Sequence, residues 1–186
     1  MLKANTAARA DRVTYVQAPG DRIAPTLALD LALSIGVLHH IPEPAPVVRA
    51  MRDALKPGGR ILVWLYGREG NELYLALAKP LRMVTTRLPD KVLWRLSALL
   101  SGALSGYAGL CRVLPLPMRA YMRNVIARWT PEVRTLTIFD QLNPAYAKYY
   151  SRKEAIALIA DAGFTDVRAH RRHGYSWTVV GRKLQS

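Results

Sequence analysis

Two adjacent histidines, His39 and His40, are the residues of this sequence best suited to move a proton. They follow an apolar stretch, residues 27–35, and precede a proline-rich turn. An imidazole changes charge near neutral pH, so it can take a proton from a hydroxyl or an amine. Alternatively, one histidine of the pair packs and caps the next helix. We expect His39 to contact the substrate and His40 to have the structural role.

A glycine follows the same apolar stretch, in the segment Ser34-Ile35-Gly36. Because glycine has no side chain, Gly36 would let the backbone approach a bound molecule closely. The alternative is an ordinary turn at the end of a strand. A second turn, Pro19-Gly20-Asp21, combines a glycine with a carboxylate and follows another β-rich stretch.

Metal and thiol chemistry are not indicated. Cys111 is the single cysteine, which excludes a disulfide framework and a thiolate zinc site. Its leucine-rich surroundings favour a packing role over that of a nucleophile. The four histidines lack the spacing of a motif such as H-E-x-x-H. We therefore expect no metal ligand.

Alternating strands and helices must position these residues. The segment 45–55 has an apolar stripe at helical spacing, and Ser151 with Glu154 forms a capping box that opens a second helix. The predicted strands cover residues 13–18, 27–35, 60–66, 166–171 and 177–180. The continuous apolar run at 27–35 is typical of a strand that is buried on both faces. This pattern predicts an α/β fold, in which ligands bind at the carboxyl ends of the strands.

The length of 186 residues favours a single domain, residues 1–186, with three zones. Residues 1–67 form one part of the α/β core, and residues 131–186 form a C-terminal α/β part. Between them, residues 70–130 are rich in leucine, alanine and arginine and interrupted by prolines. We expect short helices there that act as a lid, with leucine-rich faces toward a pocket or a membrane surface.

The net charge of +14 would attract phosphate, nucleic acid or anionic lipid without selecting among them. The basic residues are scattered, and no aromatic residues alternate with a basic stripe, so nucleic acid is not the expected partner. Residues 92–111 are long enough to span a bilayer but contain serines and glycines. A buried or lid helix, or transient contact with a membrane surface, are the alternatives. The absence of a secretory signal indicates a cytoplasmic protein, and a homodimer remains open.

The segment from Asp30 to Gly67, with its SIGVLHHIPEP loop and its LKPGG turn before RILVWLYG, resembles the class I S-adenosylmethionine-dependent methyltransferases. The resemblance covers residues 1–67 and 147–183 in order. It implies a Rossmann-like sheet, incomplete at the N-terminus, with a helical insertion after the family's fifth strand. It also implies methyl transfer from S-adenosylmethionine to a small-molecule or lipid- or sugar-linked acceptor. A non-catalytic fragment or binding module, and an RNA-binding or RNA-modifying protein, are the alternatives.

The resemblance assigns roles to particular positions. Ser34, Ile35 and Gly36 fall where the family lays backbone along the cofactor. Gly20 and Asp21 fall near the family's adenine-binding loop, although Pro19 occupies the position at which members place an aspartate. In the segment 139–150, which precedes the last helix, Asp140 and Tyr146 would contact the acceptor; polar and aromatic residues on a loop favour ligand binding. Together with His39, they are the expected catalytic residues.

One part of the family pattern is missing. The family's glycine-rich loop and the acidic residue after its second strand have no counterpart, and no G-x-G occurs in the sequence. The sequence is therefore interpreted as the C-terminal two-thirds of a methyltransferase, which binds S-adenosylmethionine weakly or not at all by itself. We expect residues 13–18 to pair directly beside residues 27–34, or a second chain to cover that edge, because an open apolar edge invites pairing.

Overall fold

A four-stranded mixed sheet forms the centre of the computed structural model, which describes residues 6–144 and 146–185. The strands lie in the order β1-β2-β4-β3. Strand β1 runs parallel to β2, whereas β4 is antiparallel to both β2 and β3. The strands are β1 (Leu29–Ile35), β2 (Leu55–Tyr66), β3 (Thr165–Arg172) and β4 (Ser176–Arg182). The α/β class is thus confirmed, together with four of the five predicted strands, at 27–35, 60–66, 166–171 and 177–180.

The chain divides into two compact units. The sheet unit contains Met1–Glu69 and Lys148–Ser186, and the helical unit is Gly70–Ala147. The sheet unit holds helices α1 (Ala45–Asp53) and α6 (Arg152–Ala160) beside the four strands. The helical unit contains α2 (Glu72–Thr85), α3 (Asp90–Val113), α4 (Arg119–Asn124) and α5 (Pro131–Leu142). It extends beyond residue 130, the boundary expected from composition.

The core of the sheet unit lies between one face of the sheet and the helices α1 and α6. Alternate residues of β2, namely Ile61, Val63 and Leu65, are fully buried there, as a period of two along a strand requires. Ile159 of α6 packs into the same cluster. The predicted capping box is present: the Ser151 hydroxyl accepts from the Glu154 backbone N–H, and the Glu154 carboxylate accepts from the Ser151 N–H. Helix α6 therefore begins where the sequence indicates.

The opposite face of β1 is open. Leu31, Leu33 and Ile35 are 45%, 56% and 64% exposed, whereas Ala32 and Ser34 between them are buried. The prediction that residues 27–35 are buried on both faces is therefore wrong. A continuous apolar run is equally compatible with a strand that is covered on one face, because hydrophobicity alone does not say which faces have a partner.

Residues 13–18 do not form a strand. In the described part of the chain β1 has one neighbouring strand, β2, and its outer edge is unpaired. The prediction that residues 13–18 lie beside β1 is wrong. Their β-branched and aromatic side chains favour a strand only when a partner is available, because β-propensity measures mainly side-chain packing against neighbours.

The glycine turn before β2 belongs to the strand itself. Helix α1 ends at Asp53, before Lys56-Pro57-Gly58-Gly59, and these residues belong to the irregular beginning of β2. The pairing register with β1 shifts there. Gly58 has a φ of +73°, and a Cβ on Gly59 would lie 2.9 Å from the Lys56 carbonyl oxygen. Both positions therefore require glycine, but to shape a bulge rather than to stop a helix.

The helical unit has a small core of its own. Ala108 and Cys111 of α3 pack against Met122 and Ile126. Cys111 is buried and free, in agreement with the packing role. A second contact is polar: the buried guanidinium of Arg134 on α5 donates from Nε to the carbonyl and the hydroxyl of Ser101 on α3, at 3.2 and 3.0 Å. Helix α3 thus faces its own unit with small and polar residues.

Candidate active site

The backbone at the carboxyl end of β1 is uncrowded. Gly36 follows the strand with a φ of +76°, and a Cβ placed on it would have no heavy atom within 4 Å. The glycine is therefore required by its left-handed conformation and not by crowding. Ser34 just before it is buried and Ile35 is exposed. The peptide groups around Gly36 can consequently be reached by a ligand.

His39 lies in a short 3-10 turn, Leu38–His40, directly after this open segment. Its side chain is fully buried, whereas that of its neighbour His40 is exposed. Its backbone carbonyl accepts a hydrogen bond of 2.9 Å from the Lys148 N–H. The prediction that His40 has the packing role is thus wrong. The tight turn directs adjacent side chains to different sides, and it turns His39 inward.

Aromatic rings surround His39. Its ring centroid lies 3.9 Å from that of Tyr66 and 5.7 Å from that of Trp64. The Tyr66 ring in turn stacks on Tyr149 at 5.2 Å, with an interplanar angle of 18°. His40 lies 4.4 Å from His39. We call these five residues the aromatic cluster. It joins the carboxyl ends of β1 and β2 to the segment that precedes α6.

The aromatic cluster keeps His39 neutral. The pKa of His39 is lowered from 6.5 to about 4, mainly by burial and to a smaller extent by the nearby His40. The Trp64 backbone has a smaller effect that raises this pKa. Neither ring nitrogen of His39 has a hydrogen bond of good geometry within the described residues. Such a group is unprotonated at neutral pH and has two unsatisfied nitrogens. It is thus a candidate to accept a proton from a molecule that enters the cluster.

The second expected cofactor segment lies elsewhere in the sheet unit. Gly20 and Asp21 belong to a 3-10 turn, Gly20–Arg22, and both are exposed. A Cβ on Gly20 would lie 3.2 Å from a methyl group of Val47 on α1, so this turn packs on α1. Because residues 13–18 form no strand, Asp21 does not lie at the carboxyl end of a strand as the family pattern requires.

Asp140 and Tyr146 belong to the helical unit. Asp140 is exposed in the last turn of α5, whereas the sequence interpretation placed it on a loop. Tyr146 follows that helix and is partly buried. The residues that the sheet unit brings together are therefore Ser34, Ile35, Gly36 and His39, which belong to one continuous segment.

Trp64, Tyr66 and Tyr149 were not among the expected site residues. A signal for two of them is present in the sequence: Trp64 and Tyr66 alternate along the last residues of β2, which places both on one face at its carboxyl end. Their contact with His39 follows from the parallel pairing of β1 with β2, in which Ile35 lies opposite Trp64. Tyr149 is distant in sequence, and its position depends on the return of the chain after the helical unit.

Comparison with known proteins shows similarity of this chain to methyltransferases. Residues 1–61 match the family model of a methyltransferase domain. No curated protein matches the chain. Similar solved structures include an O-methyltransferase family protein from Burkholderia thailandensis, with 12% identity and a TM-score of 0.54. The match covers all of this chain and 40% of the chain of that protein.

Two further structures are similar over 98% of this chain and 39% of their own. One is the S-adenosylmethionine-dependent methyltransferase SibL in its apo form, with 16% identity and a TM-score of 0.52. The other is PigF with SAH, with 17% identity and a TM-score of 0.50. The chain therefore spans about two fifths of the length of these three structures. It has the Rossmann-like fold of the class I methyltransferases, and the resemblance noted from the sequence is confirmed.

Proposed function

We propose that this methyltransferase-fold chain belongs to a cytoplasmic enzyme that transfers a methyl group from S-adenosylmethionine to a small-molecule or lipid- or sugar-linked acceptor. The observation that carries the proposal is the arrangement at the carboxyl end of β1. There an open glycine backbone is followed directly by the buried, unprotonated His39 inside the aromatic cluster. The family match over residues 1–61 and the fold support the same activity.

The described residues fit part of the cofactor. The left-handed, uncrowded Gly36 offers backbone to one side of such a molecule. Asp21, the acidic residue expected near the adenine, lies in a turn that packs on α1 instead of following a strand. No glycine-rich loop occurs in the sequence to bind the remaining groups. The residues present therefore do not fit the whole cofactor, and the reasoning below concerns the acceptor alone.

His39 would act on the acceptor as a proton acceptor. With a pKa of about 4, the imidazole is available as a base at neutral pH, but it attracts a proton only weakly. A hydroxyl or amine becomes strongly acidic once its oxygen or nitrogen forms the new bond to carbon. A weak base that is held in place is sufficient to remove that proton. The partly exposed ring of Tyr149 would offer the acceptor a flat, largely apolar surface.

Asp140 and Tyr146 are proposed as further acceptor contacts. The resemblance assigns this role to both residues, and a carboxylate and a phenol are suited to orient a polar acceptor. Replacing Asp140 by Asn keeps its size and removes its charge. If the carboxylate orients the acceptor, this variant raises KM with little change in thermal stability, because Asp140 is exposed.

Titration calorimetry with S-adenosylmethionine tests the proposal at its weakest point. We expect this chain to bind the cofactor weakly or not at all, since its described residues offer only one side of a site. A Gly36→Val variant serves as the matched comparison, because a β-branched side chain disfavours the positive φ and would displace the backbone. A tight one-to-one complex would contradict the expectation. Weak binding that Gly36→Val leaves unchanged would remove Gly36 from the site.

A non-catalytic binding module is the second candidate. The observation that favours it is that Asp21 lies in a turn that packs on α1, so that the described residues offer only one side of a cofactor site. A methyl-transfer assay at high cofactor concentration separates the two candidates, because weak cofactor binding is expected of both. A module that has lost the cofactor shows no transfer at any cofactor concentration. An enzyme shows transfer that falls when His39 is replaced by Phe, which keeps an aromatic ring but removes the base.

A further inference from the structure

Helix α3 has its polarity reversed relative to an ordinary helix of a water-soluble protein. The residues that it buries are small or polar as often as they are apolar; they are Leu93, Ser97, Ser101, Ala108 and Cys111. Large apolar side chains lie on the opposite side. Leu99 is 74% exposed and Val113 is 76% exposed, and Val92 and Leu110 are about half exposed. We call Val92, Leu99, Leu110 and Val113 the outer face.

The outer face is continuous. Between Leu99 and Val113 the residues that share this side of the helix are glycines, Ala103 and Leu110, none of them charged. At 1.5 Å per residue this uncharged strip is about 20 Å long. Exposed apolar patches of this kind mark sites of association with protein or membrane.

Basic residues lie at the N-terminal end of the outer face. Lys91 and Arg95 are in the first turns of α3, and both are exposed. Asp90 is the acidic residue of the helix. Two copies of the chain that joined through this face would bring together two net charges of +14, which opposes association. An anionic lipid surface has the complementary charge, and long basic side chains can reach its headgroups while leucines enter the apolar layer.

The inner side of α3 argues against a helix that crosses the membrane. In the described residues, α3 has the length and composition of a spanning helix, and 22% of its most apolar 18-residue stretch is buried. However, Ser101 at its middle accepts from the buried guanidinium of Arg134. A guanidinium at the centre of a bilayer is costly. A helix that lies on the surface keeps Arg134 and the serines on the side away from the lipid.

We propose that the outer face of α3 binds an anionic lipid surface, with the helix parallel to the membrane and with Lys91 and Arg95 at the headgroups. This proposal concerns where the protein works. It is independent of the methyl-transfer proposal, because it rests on a different unit and on none of the residues around His39.

Vesicle sedimentation tests it. We expect the intact chain to sediment with vesicles of 30% phosphatidylglycerol in phosphatidylcholine and to be released as salt is raised, since screening weakens the charge attraction. The double variant L99E/L110E should lose about tenfold or more in vesicle affinity, because two side chains that would be buried in lipid become anionic. The matched control is Val16→Glu, which changes a 70% exposed residue of the sheet unit and should bind as the parent does.

Several results would overturn the proposal: no binding to anionic vesicles, binding that L99E/L110E leaves unchanged, or extraction that requires detergent. A concentration-dependent dimer that L99E/L110E abolishes would also overturn it and would assign the outer face to a second copy. Circular dichroism monitors folding of the double variant. If that variant does not fold, L99S/L110S replaces it, with the same expected loss.

Discussion

Helices α6 and α3 differ in which side chains they bury. Helix α6 buries Ile159 completely in the core of the sheet unit and begins at a capping box. Helix α3 turns Leu99 and Val113 outward and keeps Ser97 and Ser101 inside. The buried apolar side chains of α6 therefore stabilise the fold, whereas the exposed ones of α3 are available for association. The difference shows that apolar content alone does not distinguish a core helix from a binding surface.

The largest effect should come from the core of the sheet unit. Ile159→Ala removes a fully buried side chain, and we expect a loss of about 3–4 kcal/mol in the free energy of unfolding, because the cavity adds to the lost burial. The matched variant Leu99→Ala should change this free energy by less than about 0.5 kcal/mol, as is usual for exposed positions. Urea denaturation of both variants checks the pair. Equal losses would mean that the outer face of α3 is part of the folded core.

A smaller effect is expected from protonation of His39. Its pKa of about 4 in the folded chain lies below the ordinary value of 6.5. Between these values the unfolded chain therefore binds more protons, and stability falls as the pH falls from about 6.5 to about 4. We expect the free energy of unfolding to fall by about 2 kcal/mol across this window. This is less than the full value for a shift of this size, because the other rings of the aromatic cluster are partly exposed and solvent there screens the charge.

The control for this pH effect is His39→Phe, which keeps a ring against Tyr66 but cannot be protonated. Urea midpoints measured at pH 5 and pH 7 should differ in the parent and converge in the variant. His40→Phe removes the exposed neighbour and should retain most of the difference. A pH dependence that survives in His39→Phe would show that another group is responsible.

The smallest of the three effects concerns the start of α6. Ser151→Ala removes the hydroxyl that accepts from the Glu154 N–H, and loss of such a cap costs about 1 kcal/mol. Burial alone would raise the pKa of Glu154, but hydrogen bonds from the Ser151 backbone and hydroxyl, and the nearby Arg68, lower it. The variant should therefore also raise this pKa, as carbon-detected titration can show. Ser151→Thr should retain both the cap and the low pKa.

Local signals made some elements predictable. Ser151 and Glu154 identify the start of α6 because capping depends only on residues three apart. Gly163 has a φ of +88° and follows the end of the same helix, where a left-handed residue commonly lies. The strands 27–35 and 60–66 were recognisable because each has a buried face. These signals do not depend on which distant segment comes to lie nearby.

Other features depended on distant contacts. Residues 13–18 have the side chains of a strand but no partner, so they form none. The exposure of Leu31, Leu33 and Ile35 could not be predicted, because an apolar run does not reveal whether both faces of a strand are covered. His39 and His40 are adjacent and chemically identical, and only the turn that contains them decides which one is buried. The site was therefore predictable as a segment, but its aromatic surroundings were not.

The excursion of the chain through the helical unit begins and ends at the same place on the sheet. Gly67 pairs with Tyr150, and the Tyr150 N–H donates to the Tyr66 carbonyl at 2.8 Å. The Arg68 N–H donates in turn to the Tyr150 carbonyl, also at 2.8 Å. Because the entropic cost of closing a loop grows only with the logarithm of its length, the length of Gly70–Ala147 adds little to the cost of forming this junction. A helical unit of a different length could therefore be inserted between Gly67 and Tyr150 at little extra entropic cost.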